Sequence, residues 1–433
     1  MTTPIYNRTQ IIYALNSISN TPSNEKGTVE ELETYAKEVI SQVFENKSAQ
    51  ALIGEWELVW GPCVYQTEGS NVADNAMYVA RNKNRTTDIV VAISGTNPIS
   101  KYGWIHEDFL INPMQDWPYA SGLNPQPKIS NGTKLGTNIL FNDLKNESGQ
   151  TLTDYLKQQV ATNPISVTVT GHSLGGALSP AVALALKNMQ GKTDGWDPKS
   201  SASIAVEPSA GPTSGNKDWA DYYDAELGSA TTRLWNAIDI VPHAWELDML
   251  KAIPTLYEPE IPESVFINAL TKLAEANSIK AGNMHQICDQ VAGLPGKIET
   301  GALINIHNIL EILEVMVAND LIELLAKKLN LKPLAVVLIK KVIDELIKYL
   351  NDKLESADTI SMSDFKSIKL DSKLNLKNHS EEVSGMFISF LDFLIQAGYQ
   401  HTTAYAILMK TTVFSDLVSV IEKGIKMPNS LEA

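Results

Sequence analysis

The hydrophobic pattern of the first 245 residues alternates between segments typical of strands and segments typical of helices. Continuous apolar or β-branched runs at residues 88–93 and 165–170 predict buried strands, because a strand covered on both faces shows no polar alternation. Thr28 followed by Glu31 is the signature of a capping box and predicts a helix that ends near Phe44. Further strands are predicted at residues 56–60, 76–80, 202–206 and 231–235. This order predicts an α/β fold with a mostly parallel central sheet.

The pattern changes after residue 246, where apolar residues recur every three or four positions. This periodicity is typical of amphipathic helices. Helices are predicted at residues 264–276, 302–329, 334–354, 385–395 and 402–421. All eight tryptophans lie before residue 246, whereas residues 246–382 contain none and are rich in Leu, Ile, Lys and Glu. We therefore expect two regions of different architecture.

The composition excludes several classes of protein. The 433 residues are 44% apolar and 20% charged, which are ordinary values for a globular chain rather than a disordered one. The chain has 35 basic and 50 acidic side chains, a net charge of −15, and no basic block. We therefore expect no nucleic-acid partner, and a neutral or cationic substrate fits the charge better.

The cysteines and the apolar stretches bear on metal sites, disulfides and location in the cell. Cys63 and Cys288 have no spacing typical of a metal site, and a single bridge between them stays open. We expect neither a metal nor a cofactor. The first residues lack a basic segment followed by an apolar core, so no signal peptide is predicted. Charges interrupt residues 302–350, the most apolar stretch, which falls short of the roughly 18 apolar residues of a transmembrane segment. We expect a cytoplasmic protein, or one exported without a leader.

A nucleophile motif lies between a predicted strand and a predicted helix. Residues 171–176 read Gly-His-Ser-Leu-Gly-Gly and match G-x-S-x-G. In this setting the serine occupies a tight turn, its hydroxyl projects from the sheet, and the glycines avoid neighbouring backbone. Ser173 is the predicted nucleophile, and the N–H group of Leu174 is predicted to bind the developing oxyanion. The alternative is that these residues form only a loop.

A serine nucleophile needs a histidine base and an acid that orients the histidine. In enzymes whose nucleophilic serine lies on such a strand–helix turn, the three catalytic residues follow along the chain in the order serine, acid, histidine. Asp239, in a turn that Pro242 ends after a predicted strand, is the predicted acid, with a solvated turn residue as the alternative. His401, in a predicted loop directly before the last helix, is the predicted base, and His285 is its main rival. Other later histidines are less well placed: His243, His307 and His379.

A second oxyanion donor is expected in the loop after an earlier strand. Residues 94–98 read Ser-Gly-Thr-Asn-Pro and follow the predicted strand at residues 88–93. The backbone N–H of Thr96 is the candidate. The alternative is a simple turn that ends the strand.

These motifs resemble those of the class 3 (fungal-lipase-like) family of α/β hydrolases. The resemblance extends over residues 30–245 and rests on residues 93–96, 171–176, 211–216 and 239–242. It implies an α/β-hydrolase fold, hydrolysis of carboxylic esters, and a triad of Ser173, Asp239 and a late histidine. It also implies an oxyanion hole at Thr96 and Leu174.

Two features depart from the family pattern. Ser94 stands where the family often has arginine, and Asp239 and His401 are 162 residues apart, more than in a compact hydrolase. We therefore predict a catalytic domain formed by residues 1–249 and 386–433, with residues 250–385 inserted as a large helical cap or lid. Apolar faces of a cap would exclude water and bind acyl chains. Alternatively, these helices pack together or form a dimer interface.

The leading hypothesis is a serine ester hydrolase, a lipase or esterase, that cleaves carboxylic esters of neutral lipids through an acyl-enzyme intermediate. One alternative is a phospholipase or acyltransferase that uses the same triad. Another is a non-catalytic lipid-binding protein on the same fold. The expected partner is a neutral lipid or small ester, and contact of the cap with a lipid interface is a further hypothesis.

Overall fold

The computed structural model describes residues 3–95, 111–301, 303–306, 309–310, 313, 333–357, 359–361 and 380–428. The chain forms two compact units. The sheet unit comprises Met1–Trp235, Lys280–Leu294 and Ala406–Ala433, and the helical unit comprises Asn236–Ile279 and Pro295–Tyr405.

The elements alternate in the first half of the chain and are mostly helical in the second. The strands are β1 (Trp56–Tyr65), β2 (Asn75–Asn82), β3 (Asp88–Ile93), β4 (Gln115–Asp116), β5 (Lys128–Ile129), β6 (Ser166–His172), β7 (Ser203–Ser209), β8 (Gly215–Asn216), β9 (Met284–His285), β10 (Leu303–Asn305) and β11 (Thr359–Ser361). The helices are α1 (Arg8–Ile18), α2 (Val29–Glu45), α3 (Lys47–Ile53), α4 (Asn131–Asn138), α5 (Leu152–Thr162), α6 (Leu174–Met189), α7 (Lys217–Leu227), α8 (Leu247–Ala252), α9 (Val265–Ala281), α10 (Pro333–Leu354), α11 (Ser380–His401), α12 (Thr403–Leu408) and α13 (Thr412–Gly424).

The sheet unit is built on a five-stranded sheet in the order β1-β2-β3-β6-β7. β2 is antiparallel to both β1 and β3, whereas β3, β6 and β7 pair in parallel. Four of these five strands therefore point in one direction, as the mostly parallel prediction requires. A smaller antiparallel sheet has the order β4-β5-β8-β9.

Both faces of β3 are buried, which explains its unbroken apolar sequence. Val91 faces a core that includes Leu178 and Val182 of α6. Val90, on the opposite face, belongs to a core that includes Ile12 of α1. Each such side chain gains about 1.5–3 kcal/mol on burial. Because β3 and β6 pair in parallel, their carboxyl ends lie side by side at one edge of the sheet.

The helical unit has a core of its own. α10 carries a stripe of apolar residues every three or four positions, and Ile343, Leu346 and Leu350 on this stripe are buried. They share a cluster with residues of α9 and α11, including Phe266 and Phe390. The amphipathic pattern of α10 thus serves packing within this unit.

The structure confirms most predicted elements and corrects some. The helix after Thr28 spans Val29–Glu45 and has both bonds of a capping box. The predicted strand at 231–235 forms only two isolated bridges, at Thr231 and Leu234. Residues 303–305, predicted as helix, form β10 because they pair with β11, and this tertiary pairing overrides the local helical periodicity. For the rest of that predicted helix, the structure describes only residues 306, 309, 310 and 313, and all four are helical.

Two further expectations have structural outcomes. Cys63 and Cys288 are both buried free thiols, so the bridge that the sequence left open does not form. Within the described ranges, no helix combines the length and the hydropathy that crossing a membrane requires.

Candidate active site

Ser173 occupies the turn between β6 and α6, as the motif predicts. Its backbone dihedral angles are φ 59° and ψ −124°, a conformation that is costly for a residue with a side chain. The Ser173 N–H donates to the Ser209 carbonyl at 3.1 Å, and the Ser173 carbonyl accepts from the Ala177 N–H at 3.2 Å. Strand, helix and neighbouring strand together hold this strained turn.

The glycines of the motif are required by close backbone approach. A Cβ atom at Gly171 would lie 2.0 Å from the carbonyl oxygen of Gly175. A Cβ atom at Gly175 would lie 2.6 Å from the carbonyl oxygens of Ile93 and Ser94. Real Cβ atoms essentially never make contacts this short, so a side chain at either position would displace the turn.

The segment before Thr96 runs beside Ser173. The Gly95 N–H donates to Asn20 Oδ1 at 2.8 Å, and Ser94 Oγ accepts from the Ala76 N–H at 2.9 Å. A Cβ atom at Gly95 would lie 3.2 Å from the Ser173 Cβ. Thr96 itself lies outside the described residues.

Leu174 is the first residue of α6 and is buried. The first N–H groups of a helix have no partner within the helix, and they lie at the positive end of its dipole. The backbone at Leu174 is therefore suited to an anion that forms beside Ser173.

The predicted acid and base are hydrogen-bonded to each other. His401 Nδ1 lies 2.8 Å from Asp239 Oδ2, with Asp239 fully buried and 16% of the His401 side chain exposed. Since an ionised carboxylate only accepts, this contact places the imidazole proton on Nδ1 and leaves Nε2 as the basic nitrogen. His401 is the last residue of α11 and does not lie in the predicted loop. The helix extends past residue 395 because Ala397 packs in the core of the helical unit and buried Gln400 is hydrogen-bonded to Asn236.

Two further donors satisfy the Asp239 carboxylate. Oδ1 accepts from the Val241 N–H at 3.0 Å, and Oδ2 accepts from the Tyr405 hydroxyl at 2.9 Å. The Tyr405 hydroxyl in turn accepts from the Asn236 N–H at 2.9 Å. Tyr405 is not predicted from the sequence; its position four residues after His401 is the signal that could have indicated it.

A carboxamide contact joins the turn of the acid to the helix of the base. Asn236 Nδ2 donates to Gln400 Oε1 at 2.7 Å and to the Gln400 carbonyl at 3.1 Å. Gln400 Nε2 donates to the Lys297 carbonyl at 2.6 Å. Both amide side chains are fully buried. Gln400 is adjacent to His401, so this contact fixes the last turn of α11.

The other histidines have different surroundings. His285, the main rival, lies in β9 of the sheet unit, 3.2 Å from Asp289 Oδ2. His243 Nδ1 is 2.7 Å from the Asp239 carbonyl, to which it donates. His307 and His379 lie outside the described residues.

The predicted site residues are divided between the units. Ser173 and Leu174 belong to the sheet unit, whereas Asp239 and His401 belong to the helical unit. Across the part of the chain that the structure describes, no group of three His, Cys, Asp or Glu side chains could hold a metal ion.

Comparison with known proteins shows which proteins the chain is similar to. Residues 90–249 match the family model of the class 3 lipases. The crystal structure of M37 lipase superposes with a TM-score of 0.65 at 26% identity, covering 96% of this chain and 99% of that one. The segment 90–249 of the chain is similar to the class 3 lipases. The matched residues include the Ser173 motif and Asp239, and the fold is that of an α/β hydrolase.

A curated relative is more distant. Phospholipase A1-IIalpha of Arabidopsis thaliana is 25% identical over 235 residues, which are 51% of this chain and 51% of that protein. The chain thus spans about half the length of this relative.

Proposed function

We propose that the protein is a serine ester hydrolase that cleaves carboxylic esters of lipids. The observation that carries the proposal is the strained Ser173 at a strand–helix turn, since a serine is held in this way to expose its hydroxyl as a nucleophile. The hydrogen bond between His401 and Asp239 supports the same chemistry, because it supplies a correctly protonated base.

In the proposed mechanism Ser173 Oγ attacks the ester carbonyl carbon while His401 Nε2 takes the hydroxyl proton. Asp239 stabilises the imidazolium that forms. The negative charge on the tetrahedral carbonyl oxygen is bound by the N–H groups of Leu174 and Thr96. Collapse expels the alcohol, which receives the proton from His401, and leaves an acyl group on Ser173. Water then releases the carboxylic acid by the same steps.

Neutral lipids are the proposed substrates, because the chain is acidic and M37 lipase is a lipase by name. We retain the cap role of residues 250–385 as part of the proposal. Three apolar side chains of the helical unit, Ile279, Leu303 and Val337, are exposed, and contact of this unit with a lipid interface stays part of the proposal. The buried stripe of α10 is instead used within the unit, as the packing alternative expects.

The test is hydrolysis of short- and long-chain p-nitrophenyl esters by the wild type and by Ser173→Ala. We expect the variant to lose activity by at least about a thousandfold, because the acyl-enzyme cannot form. A phosphonate ester should label the wild type at Ser173 and leave the variant unlabelled. Full activity in the variant would refute the mechanism, and fatty-acid binding by the wild type without labelling or turnover would favour the non-catalytic lipid-binding alternative.

A second candidate is phospholipid hydrolysis, favoured by the similarity to a phospholipase A1. It uses the same triad and differs in the leaving group. Parallel assays on triacylglycerol and on phosphatidylcholine vesicles distinguish the two, and addition of an alcohol acceptor tests acyl transfer. Release of fatty acid only from phosphatidylcholine would replace the neutral-lipid proposal.

A further inference from the structure

Tyr405 is a buried tyrosine whose hydroxyl lies beside the proposed acid. It lies in α12, four residues after His401, and its side chain is fully buried. The hydroxyl oxygen is 2.9 Å from Asp239 Oδ2 and 2.9 Å from the Asn236 nitrogen. The hydroxyl thus connects the carboxylate of the acid to the start of the turn that carries it.

The direction of these two hydrogen bonds follows from the number of protons. A tyrosine hydroxyl has one proton to donate. The Asn236 N–H can only donate, so it uses a lone pair of the hydroxyl oxygen. The hydroxyl proton is then directed to Asp239 Oδ2, which is also the oxygen that accepts from His401 Nδ1.

We propose that Tyr405 is a positioning residue of the triad. It holds Asp239 Oδ2 in the orientation that accepts from His401, and it shares the negative charge of that oxygen. This inference rests on the proposed function, in which His401 is the base. Tyr405 touches neither substrate nor reacting atoms, so it acts only through Asp239.

The consequences of removing the hydroxyl are specific. Asp239 would keep its bonds to Val241 and His401 but lose the donor that fixes Oδ2 from the other side. Without that donor the charge on Oδ2 is less dispersed, so protonated His401 is favoured. The acid limb of the pH profile of kcat/KM should therefore move to higher pH. Loss of a hydrogen bond to a charged group predicts a fall in kcat of about 10- to 100-fold with KM unchanged.

The experiment compares Tyr405→Phe with Tyr78→Phe as a matched control. Tyr78 is also buried, and its hydroxyl donates to the Leu15 carbonyl in the sheet unit, so its loss removes a buried hydrogen bond far along the chain from the triad residues. Rates are expressed per active serine, counted by phosphonate labelling, so that a loss of folded protein does not lower kcat. We expect the kcat loss and the shifted acid limb in Tyr405→Phe alone.

A second measurement does not depend on turnover. The proton between His401 Nδ1 and Asp239 should give a low-field NMR resonance, which we expect to move or broaden in Tyr405→Phe and to stay unchanged in Tyr78→Phe. Fluorinated tyrosines at position 405 keep the shape of the side chain and change only the acidity of the phenol, and the acid limb should follow that acidity.

The outcomes separate this proposal from the proposed function. If the wild type does not hydrolyse esters, or if Ser173→Ala is as active, the proposed function fails. If hydrolysis depends on Ser173 but Tyr405→Phe keeps kcat within twofold, the acid limb in place and the low-field resonance unchanged, only the positioning role is overturned.

Discussion

Replacing Glu207 with Gln should remove a pH-dependent loss of stability. Glu207 lies in β7 and is 9% exposed, and its Oε2 has no hydrogen-bond partner among the described residues. Burial raises the pKa of this carboxyl from 4.5 to about 7, and attraction to Arg8 offsets only part of the rise. A carboxyl that is buried and poorly paired favours its neutral form.

The magnitude follows from the pKa values of the folded and unfolded chains. A folded pKa of about 7 against an unfolded pKa of 4.5 lowers the free energy of unfolding by about 3 kcal/mol once the carboxyl is ionised in both states. Because the folded pKa is raised, this contribution of about 3 kcal/mol to the free energy of unfolding is fully present below pH 4.5. It is lost as the pH rises to about 7, and above that the penalty is constant. The amide side chain of the variant does not ionise, so the stability of the variant lacks this decline.

The assay is equilibrium unfolding in urea from pH 4 to pH 9 for the wild type and Glu207→Gln. Subtracting the two free energies of unfolding at each pH cancels the titration of other groups. This difference should increase in favour of the variant by about 3 kcal/mol between pH 4 and pH 9. Glu226→Gln removes an exposed carboxylate of α7 and serves as the control for the loss of one acidic side chain. A flat difference for Glu207→Gln would refute the reasoning that Glu207 is ionised at a cost.

Three further predictions concern the candidate site. His401→Ala should lower kcat/KM by at least about a thousandfold, whereas His285→Ala should change it by less than about tenfold; equal losses in an ester assay would contradict the assignment of the base. Gly171→Ala should abolish phosphonate labelling, because its Cβ would lie 2.0 Å from the Gly175 carbonyl oxygen, and a fully labelled, soluble variant would show that the turn tolerates a side chain. Gln400→Ala should lower the free energy of unfolding by about 2–4 kcal/mol in urea, because it leaves buried amide groups unpaired; a loss below about 1 kcal/mol would mean that these groups find other partners.

The elements that the sequence predicts well are those whose signals lie in adjacent residues. The strand at residues 88–93, the capping box at Thr28 and the strand–turn–helix around Ser173 each leave a signal in a few adjacent residues. Their side chains determine which backbone conformations are accessible before distant residues make contact. Such elements were predicted with nearly correct ends.

Elements that depend on distant contacts were harder to predict. The helix that ends at His401 and the strand at residues 303–305 are determined by packing and pairing with residues far along the chain. The role of Tyr405 depends on a hydrogen bond across 166 residues, for which periodicity and spacing carry no information. The acid and base were chosen by their order along the chain, and their 2.8 Å contact is visible only in three dimensions.

The separation of 162 residues between Asp239 and His401 has a consequence for the folding of the chain. Closing a loop of this length costs about 2.5 kcal/mol more chain entropy than closing a loop of ten residues. The turn around Ser173 joins a strand and a helix that are consecutive in sequence, so it can form early. During synthesis, His401 also leaves the ribosome long after Ser173. Refolding should therefore restore the strained serine first, and activity should follow the slower step that joins the two distant segments.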